Sequence, residues 1–287
     1  MRHEFAECVK KLVRSREDIQ VLLGDIGVGA FRDEILNFPT KITNVGILEQ
    51  SMVSFASGLA LGGKRVVLHS IATFLIGRAY EQIKIDFGYR GLPGLFVSVG
   101  ASFDYGQLGC THHAPEDVLL FSSIPGTNIF IPGNGMEVEP LINNHFAGNS
   151  LDYLRLSSHQ HQYGCLENLS ILHECKNPKA TLIAIGPMVD GMVGLANKLQ
   201  LDLIYLNTLN LNIPIRSYIK TRKLFIIEPF YRATTQLLLE DIGTHHEIVN
   251  LGVPLTFQSE YMNYTDRHKS LHLDATGVER RIRRIIE

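Results

Sequence analysis

The chain has 287 residues, of which 45% are apolar and 20% charged, and its formal net charge is −2. Such values fit a packed protein of one large or two ordinary domains and exclude a disordered, collagen-like or coiled-coil chain. They also leave no basic face for DNA or RNA, so no nucleic-acid partner is expected.

The opening segment, MRHEFAECVKKLVRSRED, carries acidic side chains and no apolar h-region, so it predicts an amphipathic helix and not a signal peptide. Buried strands are predicted next at 20–25 (QVLLGD), 65–70 (RVVLHS), 94–99 (GLFVSV), 128–132 (NIFIP) and 151–156 (LDYLRL). Helices are predicted between them near 46–62, 74–87, 115–123 and 135–147. This is the alternation of a parallel sheet flanked by helices, and it predicts an α/β domain over 1–165. A polar stretch at 166–177 reads as a linker. The rhythm then restarts with TLIAIG (181–186), LDLIYL (201–206) and LFIIEP (224–229), which predicts a smaller α/β domain over 178–287. No apolar run reaches the roughly 18 residues of a membrane span. The four cysteines, Cys8, Cys110, Cys165 and Cys175, show no CxxC spacing, so reduced thiols and a cytoplasmic location are expected.

Three segments carry chemistry. Asn44-Val45-Gly46-Ile47-Leu48-Glu49-Gln50 sets a carboxylate at the first turn of a helix whose following residues are apolar or small. An acid there suits the helix dipole. Flanked by glycine and apolar residues, it also suits a desolvated group that exchanges a proton with a heterocyclic nitrogen. The second segment, Thr73-Phe74-Leu75-Ile76-Gly77-Arg78-Ala79-Tyr80-Glu81-Gln82, follows a predicted strand, at the sheet edge where α/β proteins bind ligands. By themselves Phe74 and Tyr80 fit a core as well as a coenzyme contact. The third, Tyr105-Gly106-Gln107-Leu108-Gly109-Cys110-Thr111-His112-His113-Ala114, combines a glycine-rich loop with two histidines that titrate near neutrality. Adjacent histidines converge poorly on one ion, so no metal site built from this chain alone is expected.

In this order and at these intervals, the three segments resemble the pyrimidine-binding domain of transketolases and of the related deoxyxylulose-phosphate synthases. The resemblance covers nearly the whole chain, since 178–287 is similar to the C-terminal domain of that family. It implies that Glu49 hydrogen-bonds the aminopyrimidine ring of thiamine diphosphate and that Phe74 packs on the ring face. It also implies that Arg78 or Tyr80 fills the wall where Gly77 replaces a second aromatic. His112, with His113 beside it, matches the histidine that contacts the donor sugar. Leu108 stands where the family has an aspartate that reads a donor hydroxyl. Ile131 stands in place of a phosphate-gripping arginine and Gly29 in place of a phosphate-binding serine, while Arg2 matches a further phosphate arginine. An unphosphorylated or nucleotide-linked sugar is therefore expected.

The family holds the diphosphate through Mg²⁺ on a Gly-Asp-Gly segment with a downstream asparagine pair. Gly24-Asp25-Ile26 lacks the second glycine and reads as a strand-end turn, and Asn143-Asn144 lies far off. The resemblance thus implies that a second polypeptide, an N-terminal transketolase subunit, supplies the diphosphate and Mg²⁺ domain in an α2β2 heterotetramer. The implied reaction moves a two-carbon ketol unit from a ketose to an aldose. The alternatives are the β subunit of a 2-oxo acid dehydrogenase or acyl-transferring decarboxylase, and a non-catalytic regulatory subunit.

Overall fold

The computed structural model describes residues 1–210, 213–239, 242 and 246–287. The N-terminal segment forms α1 (Arg2–Ser15), which buries Phe5, Val9 and Val13 along one face and leads into β1 (Ile19–Leu23). There follow α2 (Arg32–Asn37), β2 (Ile42–Asn44), α3 (Glu49–Leu61) and β3 (Arg65–Ile71). Two π-helical turns, Thr73–Arg78 and Ile83–Gly88, enclose the short α4 (Tyr80–Gln82). Beyond them come β4 (Gly94–Val99), α5 (Asp117–Ser122), β5 (Thr127–Phe130), α6 (Val138–Ala147) and β6 (Leu151–Arg155).

These strands form a sheet in the order β5-β6-β4-β3-β1-β2, every pairing parallel. Continuous burial along β1, β4 and β6 explains why they read as unbroken apolar runs, for helices cover both faces. Two departures concern the helices. The helix expected from residue 46 starts at Glu49, because Gly46 takes φ +81° and Leu48 is non-helical. The helix expected at 74–87 is mostly π-helical, a geometry found more often at functional sites than in ordinary packing.

The second sheet is built from β7 (Leu169–His173), β8 (Ala180–Ile185), β9 (Leu201–Leu206), β11 (Lys223–Tyr231) and β12 (Glu247–Val253), in the order β12-β11-β8-β9-β7. Segment 166–177 is therefore more than a connector: it contributes β7, which pairs antiparallel to β9. Around this sheet lie α7 (Met192–Leu199), α8 (Thr234–Leu238), α9 (Tyr264–Ser270) and α10 (Ala275–Ile286). The intervening β10 (Thr208–Leu209) joins the first sheet, antiparallel to β5. One apolar core runs from under α3 and α5 through Ile131 to Ile183, Ile185, Ile204 and Leu206, so the two sheets share it.

Polar knots close the seam. Arg155 Nε donates to Asp117 Oδ2 at 2.7 Å and its Nη2 to Ser102 Oγ at 2.6 Å, while the Ser102 hydroxyl donates to the Pro229 carbonyl. Tyr153 donates to the same Asp117 oxygen at 2.8 Å. Buried Glu137 accepts from Tyr205 at 2.6 Å, Asn207 at 2.9 Å and His161 at 3.0 Å.

Glu228 in β11 is fully buried and accepts from the backbone N–H groups of Ala233 at 2.6 Å and Thr235 at 2.8 Å. Burial outweighs these donors and pushes its carboxyl from 4.5 up to about 7. A carboxyl whose folded value lies above its unfolded value favours the folded chain while protonated. Its contribution is thus complete below the unfolded value and is lost as the pH rises through about 7. In urea melts at pH 5 and pH 8, wild type is expected to lose about 3 kcal/mol more than Glu228→Gln over that range. Identical pH profiles for the two proteins would show that Glu228 stays ionised.

Candidate active site

The site forms where β1 and β3 end and α3 begins, at the C-terminal edge of the first sheet. The turn through Gly46 brings Glu49 back over this edge, and Gly24, just past β1, leaves room for it. A Cβ on Gly24 would stand 2.9 Å from Ser70 Oγ and 3.5 Å from Glu49 Oε1. Glu49 is 1% exposed, and donors engage both its oxygens. Ser70, at the end of β3, donates to Oε1 at 2.9 Å, and Arg78 Nη1 donates to Oε2 at 2.7 Å.

From there a continuous row of side chains leads outward. The Arg78 guanidinium carbon lies 4.3 Å from the centre of the Phe74 ring. Phe74 meets His112 edge-on at 5.3 Å, and His112 meets Tyr105 at 6.2 Å. The Thr111 hydroxyl pairs with His112 Nδ1 at 2.9 Å, and Arg2 donates to the Tyr105 hydroxyl. Beyond Tyr105 opens a pocket of about 720 Å³ whose walls include Asp104, Leu108, His159 and Asp266 and no lysine or arginine. On the other side of Arg2 a groove of about 600 Å³ passes Gly29, with Arg2, Lys10 and Arg32 offset by Glu7 and Asp33.

Glu49, Phe74, Arg78 and His112 thus converge, and three expected residues do not join them. Tyr80 turns its hydroxyl to Ser123 at the end of α5 and packs against the core. His113 is buried edge-on to Phe103 at 5.0 Å, where burial lowers its affinity for a proton, and it borders a separate pocket of about 280 Å³ with Glu116 and Tyr231, apart from the Glu49 row. Ile131 is 1% exposed at the seam, and a Cβ on Gly186 would come within 2.7 Å of it. It does not face the pocket, so its lack of charge says nothing about a sugar tail. Leu108, by contrast, is half-exposed on the pocket rim. Ser70 and Gly24 are the members that sequence reasoning missed. A small polar residue at the end of an otherwise apolar strand was the available signal.

The arrangement has a definite chemistry. A planar N–C–N group is held with one nitrogen on a buried carboxylate and its carbon over an aromatic ring, as the guanidinium shows. An aminopyrimidine offers an N–H donor on a flat ring in the same way, so these residues fit such a ring. Among the described residues no group of three His, Cys, Asp or Glu side chains is placed to hold a metal ion. No helix among them is long and apolar enough to cross a membrane.

Residues 1–160 match the family described as "Transketolase, pyrimidine binding domain". The chain belongs to this family. Over 272 residues it is 29% identical to a 33.6 kDa protein of the fasciation locus of Rhodococcoides fascians, whose name assigns no activity, covering 91% of this chain and 87% of that one. It is 35% identical over 174 residues to an apulose-4-phosphate transketolase subunit of Actinobacillus succinogenes, covering 58% of this chain and 55% of the relative, about half its length. A solved structure described as "Split gene transketolase, inactive beta4 tetramer" superposes with a TM-score of 0.82 at 20% identity, over 99% of this chain and 97% of that one. The fold of that structure is therefore shared along 99% of this chain.

Proposed function

We propose that this chain is the coenzyme-activating subunit of a two-chain, thiamine-diphosphate-dependent transketolase that moves a two-carbon ketol unit from a ketose to an aldose. The observation that carries the proposal is the buried carboxyl of Glu49, set at the sheet edge with Phe74 and His112 in one row. Bound thiamine diphosphate supplies a nucleophilic carbon that takes up the ketol unit. Glu49 exchanges a proton with the pyrimidine ring, and Phe74 supports the ring face, a contact worth about 1 kcal/mol beyond area burial. With Nδ1 paired to Thr111, His112 meets the donor sugar through Nε2. Residues 1–165 form the pyrimidine domain and 178–287 the C-terminal domain in this scheme.

The diphosphate and its Mg²⁺ are held by an N-terminal transketolase subunit, the whole forming an α2β2 heterotetramer. Two features support a partner. The names of relatives refer to one subunit of a transketolase and to a split gene. Beside Glu49, an apolar strip of Ile47, Leu48, Phe55, Ile85 and Tyr89 is 42–87% exposed, and a second polypeptide would cover it.

The acceptor is a sugar without a phosphate on its tail, free or nucleotide-linked. Support now comes from the pocket beyond Tyr105, whose walls carry Asp104 and Asp266 without a balancing lysine or arginine. The test is ketol transfer by the chain co-purified with its partner, over a panel of ketoses, with and without thiamine diphosphate and Mg²⁺. Transfer is expected only with the coenzyme. The kcat/KM ratio of a phosphorylated aldose to its free counterpart is expected to stay below about 100, or roughly 2.7 kcal/mol of transition-state preference. A larger ratio would place the tail among Arg2, Lys10 and Arg32 instead. Oxidative or acyl-transferring turnover of a 2-oxo acid with no ketol transfer would overturn the transketolase proposal.

A further inference from the structure

We infer that Arg78 is an internal surrogate for the coenzyme ring, occupying its two contacts in the coenzyme-free chain and swinging out to admit it. The inference rests on the thiamine-diphosphate reading proposed above. Three observations carry it. The guanidinium donates to Glu49 Oε2 at 2.7 Å and lies over the Phe74 ring at 4.3 Å, so it uses the carboxyl edge and the aromatic face together. A guanidinium and an aminopyrimidine share a planar N–C–N edge, and one oxygen with one ring face receives only one of them. Lysine, a point charge without that plane, would not reproduce the fit.

The second observation is burial. Glu49 is 1% exposed, and its side chain accepts from Ser70 and Arg78, of which only Arg78 brings positive charge. A carboxylate this deep without a cation is strongly unfavourable, so the free chain gains from keeping one at hand. The third is the freedom to leave. Arg78 is 39% exposed and ends the first π-helical turn, so its side chain borders solvent. It can therefore swing outward, and displacing it lowers the apparent coenzyme affinity by the fraction of chains in which it is already out.

The test uses four full-length chains: wild type, Arg78→Ala, Glu49→Gln and the double variant. In coenzyme-free thermal melts, Arg78→Ala is expected to lower the Tm by about 5 °C or more in the wild-type background and to change it little in the Glu49→Gln background. Equal losses in both backgrounds would overturn the pairing role. Calorimetric titration of thiamine diphosphate with Mg²⁺ into the partner-reconstituted complex should then show about tenfold tighter binding for Arg78→Ala than for wild type. Equal or weaker binding would make Arg78 a coenzyme contact or a bystander and overturn the surrogate role alone. Absence of binding in wild type and variant alike would overturn the coenzyme reading, and the surrogate with it. Arg78→Met, which keeps an apolar stem on Phe74, takes the place of Arg78→Ala should that variant fail to fold.

Discussion

Glu49→Gln is expected to leave the fold and partner binding intact and to lower kcat of the reconstituted complex by about a hundredfold or more. The amide retains the size and one acceptor of the carboxyl, so Ser70 keeps a partner. It does not exchange a proton, which is the role proposed for Glu49. The steady-state rate with a natural ketose at saturating thiamine diphosphate is the measurement. Turnover within a few-fold of wild type would remove Glu49 from the mechanism, and so would a loss that excess coenzyme restores.

Asp117→Ala is expected to destabilise the chain by about 3–5 kcal/mol, because it strands a guanidinium with 1% exposure. Arg155 would keep its bond to Ser102 but lose its counter-charge, and the Tyr153 hydroxyl would be left with Ser98 alone. Replacing both charges, Asp117→Leu with Arg155→Met, is expected to recover most of the loss, since no unpaired charge then remains. Urea denaturation of the three proteins reads the difference. A single-variant loss below about 1 kcal/mol would mean that water enters the knot and solvates Arg155.

Both substitutions bear on how far the sequence could be read. The strands were legible because those of a doubly covered parallel sheet are apolar from end to end. The exceptions were the three-residue β2, the two-residue β10 and the half-exposed edge strands β7 and β12. The π-helical turns were not legible, since a register change of one residue per turn leaves little trace in an apolar segment. Glu49, Phe74 and His112 stood out because glycine, acid and aromatic residues fell at particular intervals. The link between Glu49 and Arg78 spans 29 positions and required the fold.

Two of the residues misplaced in advance, His113 and Ile131, share one cause. His112 and His113 are neighbours in the chain but face opposite sides of a turn, one toward Phe74 and the other toward Phe103. Ile131 likewise sits just past the end of β5, where the seam with the second sheet claims it. Which side a loop residue faces depends on what packs against the loop, and that information is non-local. The linker illustrates the same limit, for its polar composition gave no hint that β9 would recruit β7.

The short β10 has a further consequence. It leaves the second sheet's connectivity to lie along β5, pairing Thr208 with Phe130 and Leu209 with Ile129, and the Asn207 carbonyl accepts from the Ile131 N–H at 2.7 Å. The first sheet's outer strand is thus sealed by sequence that arrives about 80 positions later. A fragment ending at residue 165 would keep Glu49 yet present an open, apolar strand edge to every other copy in solution, an invitation to edge-to-edge aggregation. What looks like a minor two-residue ladder acts as the hem of the first sheet, and it makes the C-terminal half a solubility factor for the half that carries Glu49.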